Sequence, residues 1–172
     1  MSVQDDILWQ TAERAAAQFE GFKIEAVGGQ IVMTLRSNIQ SWTILRVQNA
    51  AEAAGIAEER LLSDVLIQLP DEPPRVPDVT ILEDGAEEPY SYDDVLAAVE
   101  IVSTEDDDND YVIKLKQYAR CGIPIYLIID PFRGQCTLLT RPKGDTYGET
   151  VTLHLADGNK VDIPTDKFKR KS

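Results

Sequence analysis

Ala97-Ala98-Val99-Glu100-Ile101-Val102-Ser103 and Ile123-Pro124-Ile125-Tyr126-Leu127-Ile128-Ile129-Asp130 are two apolar runs of strand length. An acidic turn (Glu105 to Asp110) and a segment with helical spacing (about Asp110 to Arg120) lie between them. Side chains alternate along a strand, so Ala98, Glu100 and Val102 share one face and Val99, Ile101 and Ser103 the other. Both faces are largely apolar, as in a strand covered on both sides within a sheet, yet the middle residue is a carboxylate. An unpaired buried charge costs several kcal/mol, so Glu100 requires a cation, a metal or a proton.

The rest of the composition limits what kind of molecule carries this unit. The chain has 172 residues, 43% of them hydrophobic, enough for one domain with a substantial core. No apolar stretch reaches the roughly 20 residues that cross a bilayer. Met1 to Asp6 lacks the basic and apolar regions of a signal peptide, and the expectation is a cytoplasmic protein. Cys121 and Cys136 have no metal-ligand spacing and read as free thiols in a reducing compartment. The formal charge of −13 favours solubility and opposes long-range attraction to nucleic acid, which draws its affinity from Lys and Arg.

Outward from the central unit, Asp5 to Phe19 has apolar residues at helical spacing and predicts an amphipathic first helix. Phe22 to Val27 and Ile31 to Leu35, separated by Gly28-Gly29-Gln30, predict a β-hairpin. Glu25 lies on the first arm, on the face opposite Ile24 and Ala26. Ile39 to Ala54 predicts a second helix ended by Gly55. Leu61 to Leu69 reads as a strand, the Pro70 to Pro74 segment as a loop, Pro77 to Leu82 as a short strand, and Glu83 to Asp94 as an exposed acidic loop. Gln135 to Thr140 and Thr150 to Leu155 are expected strands joined through a Pro142-Lys143-Gly144-Asp145 turn. A last strand is expected over Lys160 to Ile163, with a basic tail after it (166–172).

If the strands bearing Asp78 and Glu100 are neighbours, the two carboxylates converge into a hard-oxygen site suited to Mg²⁺ or Mn²⁺. Asp110, Lys114 and Tyr118 fall at i, i+4 and i+8 on one helix face, from which Lys114 can reach back towards Glu100. Lys116 points about 160° away from Lys114 on a helix and is the weaker candidate.

Together these residues resemble the PD-(D/E)xK nuclease superfamily, whose signature is Pro-Asp, a gap, then Glu-x-Lys on a strand. Val102 stands where that lysine would be. The sequence is most similar to the Uma-type restriction-endonuclease branch, in which a helix supplies the lysine. The resemblance rests on Glu25-Ala26-Val27-Gly28-Gly29, Pro77-Asp78, Val99 to Ser103, Asp110 with Lys114 and Tyr118, and Gly122 to Pro131. It implies a single α/β domain over 1–172 with a restriction-endonuclease-like core (about 20–165): a mixed sheet flanked by helices, preceded by a helix and a hairpin.

It also implies one or two divalent ions held by Asp78 and Glu100 with the carbonyl of Ile101, Lys114 orienting or activating the attacking water, Glu25 as an additional acid, DNA as partner, and a homodimer. Many relatives carry a histidine near the start of the second helix, where this chain has Ser37 to Trp42.

Structural readings stand beside these. Asp78 can be a capping carboxylate after a proline-rich loop, Glu100 can be buried as an ion pair with Lys114 and no metal, and Glu25 can be an exposed hairpin acid. The Glu105 to Asp110 run lacks the glycine and terminal glutamate of a calcium loop and reads as a solvated turn favouring the helix start. His154 reads as a surface residue, and Tyr118, Tyr126 and Leu127 read as core. The competing function is a non-catalytic protein-interaction module that keeps the fold and the ion pair, which the acidic charge favours.

Overall fold

The computed structural model describes residues 3–19, 22–27, 29–105 and 108–154. Helix α1 (Val3–Gln18) is followed by the hairpin of β1 (Phe22–Val27) and β2 (Gln30–Leu35), then helix α2 (Asn38–Ala53). After a short 3-10 turn come β3 (Leu61–Leu62), β4 (Val79–Leu82) and β5 (Val95–Ile101). A π-helical segment (Asn109–Lys114) runs directly into α3 (Leu115–Arg120), followed by β6 (Ile125–Asp130), β7 (Gln135–Lys143) and β8 (Thr146–His154). The expected Lys160 to Ile163 strand, the basic tail and the side chain of His154 lie outside the described residues.

Six strands form one sheet in sequence order, β3 to β8, and β1 with β2 forms a separate two-stranded sheet. Among the described strands only β5 and β6 pair in parallel, with Val99 opposite Leu127, because the π segment and α3 make the crossover that a parallel pair requires. The remaining pairs are antiparallel. Gly122, at φ 76, ends α3 in a left-handed conformation that a side chain would resist.

The two faces of β5 explain its unbroken apolar run. Ala98 and Val102 pack with Tyr118, Ala119, Tyr126, Ile128, Leu139 and Tyr147 in a core on the α3 side. Val99 and Ile101 pack with Val79, Ile129 and Ile44 of α2 on the other side. Each fully buried Ile or Val is worth about 1.5–3 kcal/mol relative to exposure, which sets the scale against which the buried Glu100 must be balanced.

Several sequence expectations change. The predicted Leu61 to Leu69 strand is a two-residue strand followed by irregular chain, because Asp64 takes a positive φ of 57°. Ile67 and Gln68 then make only isolated bridges. The expected α-helix over Asp110 to Arg120 begins as a π helix. β7 and β8 extend further towards each other than predicted, leaving Gly144-Asp145 as the turn. On α2 the buried residues are Gln40 and Ile44, while Ile39, Trp42 and Leu45 face solvent. A capping box of Ser37 and Gln40 starts that helix.

Candidate active site

Asp78 immediately precedes β4, and the antiparallel register that sets Val79 opposite Val99 sets Asp78 opposite Glu100. Directly opposed residues project from the same face. Both carboxylates are almost wholly buried, so the structure brings together the two acids that the sequence could only pair conditionally.

Their four oxygens are all engaged. Asp78 Oδ2 accepts the main-chain N–H of Ile101 at 2.7 Å, and Glu100 Oε1 accepts the hydroxyl of Tyr118 at 2.8 Å. The remaining pair, Asp78 Oδ1 and Glu100 Oε2, share one ammonium: Lys23 Nζ donates to both at 2.9 Å. Lys114 Nζ lies 2.8 Å from Glu100 Oε2 and 2.9 Å from Asp110 Oδ1. Glu25 stands at the edge, 3.6 Å from Lys114 and 3.9 Å from Lys23. Arg36 approaches Asp78 at 3.6 Å and pairs with Asp64.

Burial by itself pushes the Glu100 carboxyl up, but the Lys114 and Lys23 ammoniums outweigh it and hold Glu100 well below the usual carboxylate range. Burial likewise works against the charge on Lys114. Glu100, Glu25 and Asp110 reverse that and raise Lys114 well above an ordinary lysine. Lys23 is raised for the same kind of reason, with Glu100 its largest favourable partner against burial. For Asp110, burial wins over the Lys114 ammonium and carries the carboxyl up to about 6.

The cluster lines a cleft of about 190 Å³ that includes Lys23, Glu25, Asp78, Glu100, Asp110 and Lys114. A sequence profile of the Uma2 family, described as "putative restriction endonuclease", matches residues 9–165. The chain belongs to that family.

Among solved structures, this Uma2 chain is similar to a "putative nuclease" from Anabaena variabilis ATCC 29413. The two share 17% identity at a TM-score of 0.55 over 83% of this chain and 82% of that one. That likeness shows the restriction-endonuclease-like fold. A DrdV–DNA complex shares 16% identity over 88% of this chain and 12% of that one, with a TM-score of 0.44. No protein of curated function matches. Membership of the Uma2 family supports a nuclease.

Asp78, Glu100, Lys114 and Glu25 all reach this one cleft. Lys23 was not among the sequence candidates, although it sits two residues before Glu25 on β1 and therefore on the same face. Tyr118 is core, as read, and is also a direct hydrogen-bond donor to Glu100. Asp130, by contrast, is a turn carboxylate that accepts the N–H groups of Phe132 and Arg133. Both cysteines are free. No helix among the described residues is long and apolar enough to cross a membrane.

Proposed function

We propose that this chain is a metal-dependent nuclease hydrolysing phosphodiester bonds in DNA. The observation that carries the reading is the opposition of Asp78 and Glu100 across β4 and β5, each turning one carboxylate oxygen to the same cation position.

The donor set fits a hard divalent ion. Both carboxylates offer oxygen, and Glu25 Oε1 is buried in the cleft with no hydrogen bond of its own. Among the described residues no three acidic, histidine or cysteine side chains converge to cage an ion. Mg²⁺ characteristically uses one or two carboxylates and completes its shell with water and substrate phosphate. Bound there, such an ion supplies polarisation of a phosphoryl oxygen and a more acidic water.

The chain's own residues do the rest. Ile101 N–H and Tyr118 hydroxyl fix the rotamers of the two acids, so their other oxygens, which accept from the lysines, face the cleft. Lys114 stays protonated among its carboxylates, so it serves as a hydrogen-bond donor that orients water or neutralises phosphate charge, and not as the base. With a net charge of −13, DNA must be held by local contacts at the cleft, since long-range attraction is absent.

Isothermal titration of Mn²⁺ into metal-free protein tests the site. The expected result is about one ion per chain, lost in both Asp78→Ala and Glu100→Gln, with Mg²⁺-dependent nicking of supercoiled plasmid lost in the same variants. Wild-type protein that binds no Mn²⁺ overturns the reading. The competing role, a non-catalytic interaction module, is favoured by one observation: the two lysines and Arg36 already balance most of the cluster's charge.

A further inference from the structure

We propose that Lys23 is an internal competitor for the divalent ion: its ammonium takes the cation position between Asp78 and Glu100 in the metal-free chain and leaves it when an ion binds. The inference deepens the metal reading and rests on it.

Two of the four carboxylate oxygens are tied off by donors belonging to the sheet and to α3, namely Ile101 N–H and the Tyr118 hydroxyl. The two that face the cleft, Asp78 Oδ1 and Glu100 Oε2, both lie 2.9 Å from the same Lys23 nitrogen. An ion taking one oxygen from each acid at about 2.1 Å therefore meets a cation already seated on that pair of atoms. Lys114 also lies 2.8 Å from Glu100 Oε2, but it turns towards Asp110 and Glu25. Lys23 is therefore the ammonium that bridges the two acids, and an ion on that same pair of oxygens meets its repulsion most directly.

The structure also shows where the ammonium can go. Glu25, on the same face of β1, has its Oε2 3.9 Å from Lys23 Nζ, and its Oε1, 3.6 Å from Lys114, has no hydrogen bond. A rotation of the long lysine side chain exchanges Asp78 and Glu100 for Glu25. Lys23 belongs to the two-stranded sheet, which is separate from the six-stranded sheet that carries both acids. The move therefore breaks no ladder hydrogen bond of the main sheet. The departure of Lys23 leaves Glu100 paired with Lys114, and Asp78 with Ile101 N–H and Arg36, so the acids keep their places.

The test compares Mn²⁺ binding to wild type and to Lys23→Met by calorimetry. Loss of the competitor is expected to tighten binding by about tenfold or more. Equal or weaker binding by Lys23→Met overturns the proposal while leaving the metal site intact, whereas no binding to either protein overturns the metal reading and this inference with it.

A second measurement needs no substitution. Amine labelling of wild-type protein, read residue by residue by mass spectrometry, is expected to show Lys23 becoming reactive in saturating Mn²⁺ while Lys114 stays protected and exposed Lys116 serves as the reference. Lys23 reactivity that is unchanged or lower in Mn²⁺ overturns the proposal, whatever the behaviour of the variant.

Discussion

The cleft has two unlike banks. On one, Asp78 and Glu100 hang from adjacent strands of a six-stranded sheet, backed by apolar residues and by Tyr118 and Lys114 from the crossover. On the other, Lys23 and Glu25 hang from a hairpin that pairs only with itself and leaves Phe22, Val32, Met33 and Leu35 exposed. The sheet bank is positioned by ladder bonds on both sides and by a packed core. The hairpin bank is joined to it through charge. The difference separates groups held by the fold from groups held by charge: a residue on the sheet or crossover is fixed by ladder bonds and core packing, whereas Lys23 and Glu25 reach the site through ion pairs.

Substitutions on the two banks should therefore separate stability from binding. The largest loss is expected for Lys114→Ala, which leaves Glu100 and Asp110 short of a buried partner and costs about 3–5 kcal/mol, measured by urea unfolding.

Next comes a pH effect at Asp110, whose carboxyl stands at about 6 in the folded chain against an ordinary 3.8. Between those values the folded protein holds a proton that the unfolded chain has released. The stabilisation is full below about pH 4 and is lost as pH rises through about 6. Asp110→Asn keeps a neutral side chain throughout, so in metal-free protein its stability relative to wild type should rise by about 2.5 kcal/mol between pH 4 and 7. Parallel curves for the two proteins would show that Asp110 is not raised.

Tyr118→Phe removes one hydrogen bond to a charged acceptor and should cost about 2 kcal/mol, again by urea unfolding. The smallest effect is expected for Glu25→Gln, below about 1 kcal/mol, since its lysine contacts are long. A Glu25→Gln loss equal to that of Lys114→Ala would erase the distinction between the banks.

The sheet bank was legible because its signals are local. Two apolar runs with a carboxylate in one of them, a Pro-Asp before a short strand, and a lysine on the following helix each announce themselves within a few residues. Lys23 was not legible for a physical reason. In Phe22-Lys23-Ile24-Glu25-Ala26-Val27 the polar alternation is that of any half-exposed strand, and only the tertiary fold turns that face onto two buried acids.

The break of the predicted Leu61 to Leu69 strand depends on a left-handed Asp64, a conformation aspartate tolerates without requiring it. Spacing cannot tell a π turn from an α turn over Asn109 to Lys114. On α2, helical spacing does not say which side is covered: Ile39, Trp42 and Leu45 are exposed, while Gln40 and Ile44 are buried.

The register between β4 and β5 shifts only at Ile81/Leu82, beyond the Asp78 and Glu100 pair. A slip of one residue in that pairing would send one acid to the opposite face. The irregularity at the far end instead absorbs differences in chain length before they reach the acids. The connection from Glu83 to Asp94 is closed at its base by Glu83 N–H donating to the carbonyl of Asp94 at 2.8 Å. It exposes Asp84 and Gly85 in the turn that opens it. Lengthening a surface loop costs little, about 0.6 kcal/mol per doubling. This turn is therefore the natural attachment point for a spectroscopic probe or tether, placed at the end of β4 and β5 away from the cleft, where it leaves the spacing of the two acids unaltered.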